Sequence, residues 1–260
     1  MSNPDAFAEL APYYDNIMEH VNYDRWFTVA TSLTVLLPGP FRHVDLACGT
    51  GVLLKRLRRA GWNSVGLDLS FAMVKAGRKD TPSLPVGMAD LRALPLNGCV
   101  DYATCLFDSV NFLTSFDDVV RAFREVHRAL TPHGLFYFDI VTERMVTEHF
   151  EGQEWTEDNG RFSTTWRSSY SRKTSIADTH VRVNTGDAVG TVSERIYTQD
   201  EIKGALAAAG FGVLGLFDAH SWKAPTRRTV RIDVIAAKDV SRDLQRRFDR
   251  MRSDVRVRIT

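Results

Sequence analysis

Cysteine is scarce in this chain, with only Cys48, Cys99 and Cys105 among 260 residues. An odd number without metal-site spacing argues against a disulfide framework and for reduced thiols. One-sided charge is missing too: 33 Lys and Arg face 32 Asp and Glu, a formal net charge of +1. Nothing global therefore points to nucleic acid or to a membrane surface. No apolar run approaches the length needed to cross a bilayer. The opening Met1-Ser-Asn-Pro-Asp-Ala-Phe lacks the basic and apolar regions of a secretory signal. No His/Cys/Asp cluster has ligand spacing and no nucleophile elbow is present, so no metal is expected. These absences leave a soluble cytoplasmic protein, long enough for one substantial α/β domain with an elaboration or for two small domains.

The stretch around which the rest is organised is His43-Val-Asp-Leu-Ala-Cys-Gly-Thr-Gly51. It reads as a short apolar strand, a tight glycine turn, and a helix carrying Val52, Leu53, Leu54 and Leu57, which Gly61 ends. A second strand, Ser64-Val-Gly-Leu-Asp68, ends on a carboxylate. In such a βαβ unit the glycines admit a nucleoside close to the backbone, and the acid accepts hydrogen bonds from its ribose. A pyrophosphate turn wants a third glycine where this chain has Leu54, which counts against a nicotinamide-dependent oxidoreductase. Asp45 before the turn suits a ligand carrying an ammonium better than one carrying two phosphates.

The run from Val44 to Gly51 resembles the first motif of the class I S-adenosylmethionine-dependent methyltransferases, small-molecule subgroup. Later segments follow that family's order from about Ala6 to Lys238. The resemblance implies a Rossmann-like, seven-stranded, mostly parallel sheet with helices on both faces. It also implies an N-terminal helical lid and an antiparallel β insert after strand five. The corresponding division is a lid at 1–40, a core at 41–140 and 198–238, a β-rich substrate lid at 141–197 and a tail at 239–260. The implied cofactor is S-adenosylmethionine, with S-adenosylhomocysteine as product. By resemblance, Asp45, Ala47, Gly49, Gly51, Asp68 and Leu69 hold its amino acid and ribose. Met73, Ala89, Asp90 and Leu91 flank the adenine, and Leu106, Phe107 and Asn111 line the sulfonium side.

Ahead of the sheet, Phe7, Leu10, Tyr14, Ile17 and Met18 fall at helical spacing, and a second helix runs from Tyr23 past Trp26 to Leu36. Such a stripe is ordinary core packing, yet Tyr13-Tyr14-Asp15 and Tyr23-Asp-Arg-Trp26 resemble the family's lid. Tyr14 or Trp26 would there meet the cofactor, an aromatic face attracting a cationic sulfur. Asp90 is equally able to cap a turn, as are Asp108 and Ser109 at the end of strand four, Val100–Leu106. Asp117–Leu130 is an amphipathic helix, and Thr131-Pro-His-Gly134 turns into strand five, Leu135–Ile140.

From Val141 to Tyr197, alternation broken at Asp158-Asn-Gly160 and Thr185-Gly-Asp187 reads as hairpins. Arg195 is read as pairing with Glu194 or another acid, or else as clamping a substrate carboxylate. Thr198-Gln-Asp-Glu201 is a capping box for a helix that Gly210 ends, and 211–217 and 231–237 read as the last strands. The Arg-rich tail, with Leu244, Phe248 and Met251 at helical spacing, reads as a solvated helix resting weakly on the body.

The expected chemistry is methyl transfer to an N or O atom of a small molecule by a monomer or homodimer. It needs a base only if the acceptor is protonated. Asp108, Tyr14 and His220 are the candidates, with His20 a more distant one; an isolated histidine is more often structural. A non-catalytic cofactor-binding protein stands as the alternative. An RNA or protein methyltransferase ranks lower, because no basic stripe tracks phosphates.

Overall fold

The computed structural model of the chain describes residues 5–79, 81–184 and 188–259. The Met1–Pro4 start and the Thr185-Gly-Asp187 turn lie outside the described residues. The chain begins in turns and a single helical turn, α1 (Tyr14–Ile17), then forms α2 (Asp24–Leu33), which tightens into a 3-10 turn, Thr34–Leu36. The core then alternates β1 (Arg42–Leu46), α3 (Val52–Arg59), β2 (Asn63–Asp68), α4 (Phe71–Lys79), β3 (Val86–Met88) and β4 (Val100–Cys105). A 3-10 turn, Ser109–Phe112, leads to α5 (Phe116–Ala129) and β5 (Leu130–Val141). Next come α6 (Glu143–His149) and four strands, β6 (Glu154–Asp158), β7 (Ser163–Ser171), β8 (Ile176–Val183) and β9 (Val189–Arg195). Returning to the core, the chain forms α7 (Gln199–Ala208), β10 (Gly212–Asp218), β11 (Arg231–Ala237) and α8 (Arg242–Ile259).

The first sheet has seven strands in the order β10-β11-β5-β4-β1-β2-β3. Its strands β5, β4, β1, β2 and β3 run parallel, whereas β11 lies antiparallel to both β5 and β10. Alternation along the strands divides the interior in two. Ala103, Cys105, Phe136 and Phe138 meet Phe123 and Val126 of α5 and Ile202 and Leu206 of α7. On the other face, Tyr102, Leu135, Tyr137 and Ile235 meet Val29 and Leu33 of α2 and Phe248 and Val255 of α8.

Local signals account for the helix ends. Gly61, at φ +88°, closes α3 in a Schellman motif: its N–H donates to Arg58 O, and the Trp62 N–H donates to Leu57 O. Ser115 caps α5 by accepting the Asp118 N–H at 3.1 Å, and Thr198 with Glu201 completes the capping box of α7.

Three expectations need correction. The first amphipathic stripe yields only the one-turn α1, because Pro12 interrupts a helix already too short to persist. The insert opens with α6 before its hairpins; seven residues hold too little periodicity to be read, and Val146 is the one buried side chain in it. The tail is no loosely resting helix, since Phe248, Met251 and Val255 of α8 are buried and complete the second core face.

The four-stranded sheet, in the order β6-β7-β8-β9, is antiparallel throughout. Its apolar face, with Phe162, Val181 and Val183, closes on Leu10, Tyr13 and Ile17 of the N-terminal segment. The contact is close: a Cβ on Gly190 would lie 2.3 Å from Leu10 Cδ1. The Val189 N–H also donates to Glu9 at 2.9 Å.

Candidate active site

The carboxyl ends of β1, β2 and β4 face one crevice, where an open α/β sheet places its ligands. The turn after β1 carries positive φ at Ala47 (51°), Gly49 (56°) and Gly51 (77°). Gly51 is the N-cap of α3, in a conformation that residues with a Cβ rarely adopt. The glycine missing at Leu54 has a structural answer across the sheet. A Cβ on Gly66 of β2 would lie 2.7 Å from Leu54 Cδ2, so the strand supplies the room that a helical glycine would otherwise give.

Asp68 is held rigidly at the end of β2. Its Oδ2 accepts the Gly49 N–H at 2.7 Å and its Oδ1 accepts the Ser70 N–H at 2.8 Å. Burial raises its pKa, and these N–H groups pull it back. Beneath the turn, Asp45 is buried and accepts the Thr104 hydroxyl at 2.6 Å. Thr104 in turn lies 3.0 Å from His43 Nε2, and Ser64 Oγ lies 3.0 Å from His43 Nδ1. Since Thr104 donates to Asp45, its oxygen accepts from His43 Nε2–H, leaving Nδ1 to accept from Ser64. Burial holds this histidine neutral, with a pKa lowered to about 3. Burial also lifts Asp45 to about 7, so the acid under the turn is poised to ionise for a cation.

Tyr14 stands between Asp68 and Asp108, with Tyr23 and Asp15 also near it. Burial and these neighbours push its phenol well above the usual range, so it stays protonated. The Thr50 hydroxyl donates to Asp15, tying this segment to the glycine turn. Leu69, Phe71 and Met88 project from the rim of the crevice as exposed apolar side chains. Ala89 joins β3 to the end of β2, its N–H donating to Asp68 O at 2.9 Å.

The other expected site residues have these surroundings. Met73 is buried, its methyl 3.4 Å from where a Gly49 Cβ would stand, so it supports the turn rather than facing outward. Both oxygens of Asp90 accept from Arg92, whose backbone N–H also donates to Oδ1 at 2.8 Å; the capping role is the one seen. Leu91 turns into a small apolar cavity with Leu46, Cys105 and Phe136. Trp26 carries the guanidinium groups of Arg25 and Arg231 over its ring, at 4.9 and 5.5 Å. Asn111 is a fastener: its Nδ2 donates to Arg195 O at 2.8 Å and its Oδ1 accepts the Val141 N–H at 3.1 Å, which leaves the amide committed. His220 and His20 are exposed, and His220 sits on the β10–β11 turn beside the buried Trp222. Arg195 pairs with Glu201 at 2.8 Å, not with Glu194.

After β4, Leu106 is buried, and Phe107 (φ 64°) and Asp108 (φ 53°) follow in left-handed conformation. Two such residues in succession are costly, and they cluster at functional sites. They aim Asp108 at a charged group that the sequence pattern did not reveal. Asp108 Oδ1 lies 3.3 Å from Arg231 Nη1, and Arg231 also pairs with Asp139. Glu194, near the end of β9, is the carboxyl beside Asp108, whose charge acts on it. Burial raises both carboxyls, Glu194 well above its usual range, with Asp108 adding to that rise. Behind them Asp233 accepts from Arg25 at 2.7 Å, Trp222 Nε1 at 2.8 Å and the Tyr137 hydroxyl at 3.1 Å. Asp139 and Asp233 face each other across β5 and β11. The available signal was a charge inside each of two otherwise apolar strands, which a core position tolerates only when it is paired.

Residues 44–138 match the family model of a methyltransferase domain. The chain is 33% identical over 162 residues to YqeM of Bacillus subtilis (strain 168), named as a candidate methyltransferase, over 61% of this chain and 64% of that protein. It therefore spans slightly less than two thirds of that relative. It is 31% identical over 142 residues to the dTDP-4-amino-2,3,4,6-tetradeoxy-D-glucose N,N-dimethyltransferase of Saccharopolyspora spinosa, over 50% of this chain and 57% of that enzyme. Among solved structures, an S-adenosylmethionine-dependent methyltransferase from Clostridium acetobutylicum ATCC 824 superposes with a TM-score of 0.76 at 23% identity, over 90% of this chain and 99% of that one; this likeness is one of fold. Residues 44–138 thus form a methyltransferase domain, and the family resemblance read from Val44–Gly51 is borne out.

Proposed function

We propose that the protein binds S-adenosylmethionine in the crevice above β1, β2 and β4 and transfers its methyl group to an N or O atom of a small molecule. The observation that carries this reading is Asp68, whose oxygens are fixed by the Gly49 and Ser70 N–H groups and each keep a lone pair for a ribose hydroxyl. Asp45 fits the same ligand, because a buried carboxyl lifted to about 7 is relieved by a nearby positive charge. Small-molecule acceptors are supported by the amino-sugar dimethyltransferase among the relatives.

In this reading residues 41–140 and 198–238 hold the cofactor, 141–197 cover the acceptor and 1–40 close over both, while α8 within 239–260 completes the core. The three cysteines are free, in keeping with a cytoplasmic setting. When bound, the cofactor supplies an electrophilic methyl on a sulfonium whose leaving group is neutral. The chain's own residues then act by positioning. Asp68 and the glycine turn fix the nucleoside, and Tyr14 and Phe107 wall the passage to the acceptor side.

Calorimetric titration of S-adenosylmethionine and of S-adenosylhomocysteine tests the proposal. Saturable binding that Asp68→Ala weakens by at least about 100-fold is expected, the loss of charge-assisted hydrogen bonds to two hydroxyls. Absence of binding by the intact protein overturns it.

A further inference from the structure

Beside the proposed cofactor crevice, five elements converge on a polar cluster. Asp108 enters from the end of β4, Asp139 from β5, Arg231 from β11, Glu194 from β9, and Tyr14 approaches Asp108 from α1. Three carboxyl groups thus meet one guanidinium. The other arginine nearby, Arg25, is committed to Asp233 at 2.7 Å. Both phenols facing Asp108, those of Tyr14 and Tyr23, are held neutral by burial. The cluster therefore carries an excess of negative charge.

Two acceptor atoms in it have no partner. Asp139 is fully buried and its Oδ2 is taken by Arg231, yet its Oδ1 receives no hydrogen bond; Glu194 Oε1 is buried and likewise receives none. Buried acceptors without donors are costly, and these two belong to one charge network, beside which the Trp26 Nε1 and Arg25 Nη2 donors are unpartnered as well. The rings of Trp26 and Phe107 lie 5.5 and 5.6 Å from the Arg231 guanidinium and set apolar surface against the cluster. An acceptor suited to this site brings positive charge and several N–H donors. An alcohol supplies one donor and no charge, and a carboxylate or phosphate is repelled.

We propose that Glu194 and Asp108 form the acceptor-recognition pair of this enzyme and select an amine, bound as its ammonium. This rests on the methyltransferase reading above and deepens it. Before the acceptor enters, the pair shares one proton, and the entering ammonium replaces it. The ammonium then gives a proton to the pair, leaving a neutral amine with a free lone pair. That lone pair forms the N–C bond as the C–S bond breaks, and the bonding electrons pass to sulfur to give the neutral thioether. The methylated ammonium keeps its charge and departs, and one proton is released to solvent for each methyl transferred.

The test uses the full chain with isotopically labelled S-adenosylmethionine. The probes are matched amines and alcohols (glucosamine and glucose, putrescine and butane-1,4-diol), together with a cell extract, and mass spectrometry assigns the atom that gains the methyl. Transfer to nitrogen is expected. Glu194→Gln should lower kcat/KM by about 100-fold or more, the range for loss of a proton acceptor. It should leave cofactor affinity unchanged and move the acid limb of the pH profile to lower pH, because Asp108 then loses a like-charged neighbour. Glu194→Asp should restore part of the rate, and thermal melting with cofactor bound checks that both variants fold. Transfer to oxygen, carbon or sulfur overturns the assignment. So does failure to methylate any amine by a protein that still binds the cofactor. Loss of cofactor binding by the intact protein overturns the earlier proposal and this one with it.

Discussion

The two halves of the proposed site are built in opposite ways. The nucleoside half comes from neighbouring segments of chain: the Asp45–Gly51 turn, Asp68 and the Ser70 backbone. Its hydrogen bonds run largely to backbone N–H groups. The acceptor half is gathered from β4, β5, β9 and β11 and is held by charge: Asp108 and Asp139 on Arg231, with Glu194 set against Asp108. A local, backbone-satisfied site can lose a side chain with little harm to the fold. A dispersed, charge-satisfied site cannot, because every member left behind is a buried ion without its partner.

The sharpest way to break this contrast is Arg231→Met. Removing the guanidinium leaves Asp108 and Asp139 facing one another in the interior, and a loss of about 3–5 kcal/mol in denaturant unfolding is expected. Asp68→Ala, by comparison, should cost only about 1–2 kcal/mol, for two N–H groups left without an acceptor. Equal losses from the two substitutions would erase the distinction.

Asp45 tests the nucleoside half by pH. Its folded pKa of about 7 lies above its unfolded value of 3.8. Folding is therefore favoured most below pH 4, and stability drains away as pH rises through the interval to 7. The full effect is at most about 4 kcal/mol. Asp45→Asn should flatten that part of the stability curve and leave the cofactor-free protein more stable at pH 8 than the parent. It should also weaken cofactor binding most above pH 7, where the parent carries the charge. Parallel curves for the two proteins would show that Asp45 is not the group responsible.

Smaller effects sharpen the comparison further. Asn111→Ala removes the tie between Arg195 O and the Val141 N–H, and about 2 kcal/mol of stability should go with it. KM for the acceptor should rise more than the cofactor Kd, because Asn111 fastens the strand that carries Glu194. Gly66→Ala pushes a methyl toward Leu54 and Cys48 and should cost about 1–2 kcal/mol, with cofactor affinity following stability downward.

What could be read from the chain beforehand follows the same division. The glycine turn, Asp68, the capping box at Thr198 and the alternating strands are contiguous patterns whose local physics decides the outcome. Arg231, Glu194 and Asp139 lie far apart in the chain, and no period links them; only the β5–β11 register and the return of β9 bring them together. Trp26 and Asp90 show a related effect. Each is suited to a ligand by type, and each is claimed by an arginine that folding delivers. Phe248, Met251 and Val255 are visible as a stripe, but the depth at which a stripe is buried depends on the helix it meets, here α2.

The seating of Leu10 on Gly190 couples two covers that different parts of the chain supply. A segment that nests in the backbone of β9 and grips the glycine turn through Asp15 and Thr50 cannot swing away alone. On the proposed reading, entry of the methyl donor and exit of its spent form disturb the strand bearing Glu194, so traffic through one doorway is felt at the other.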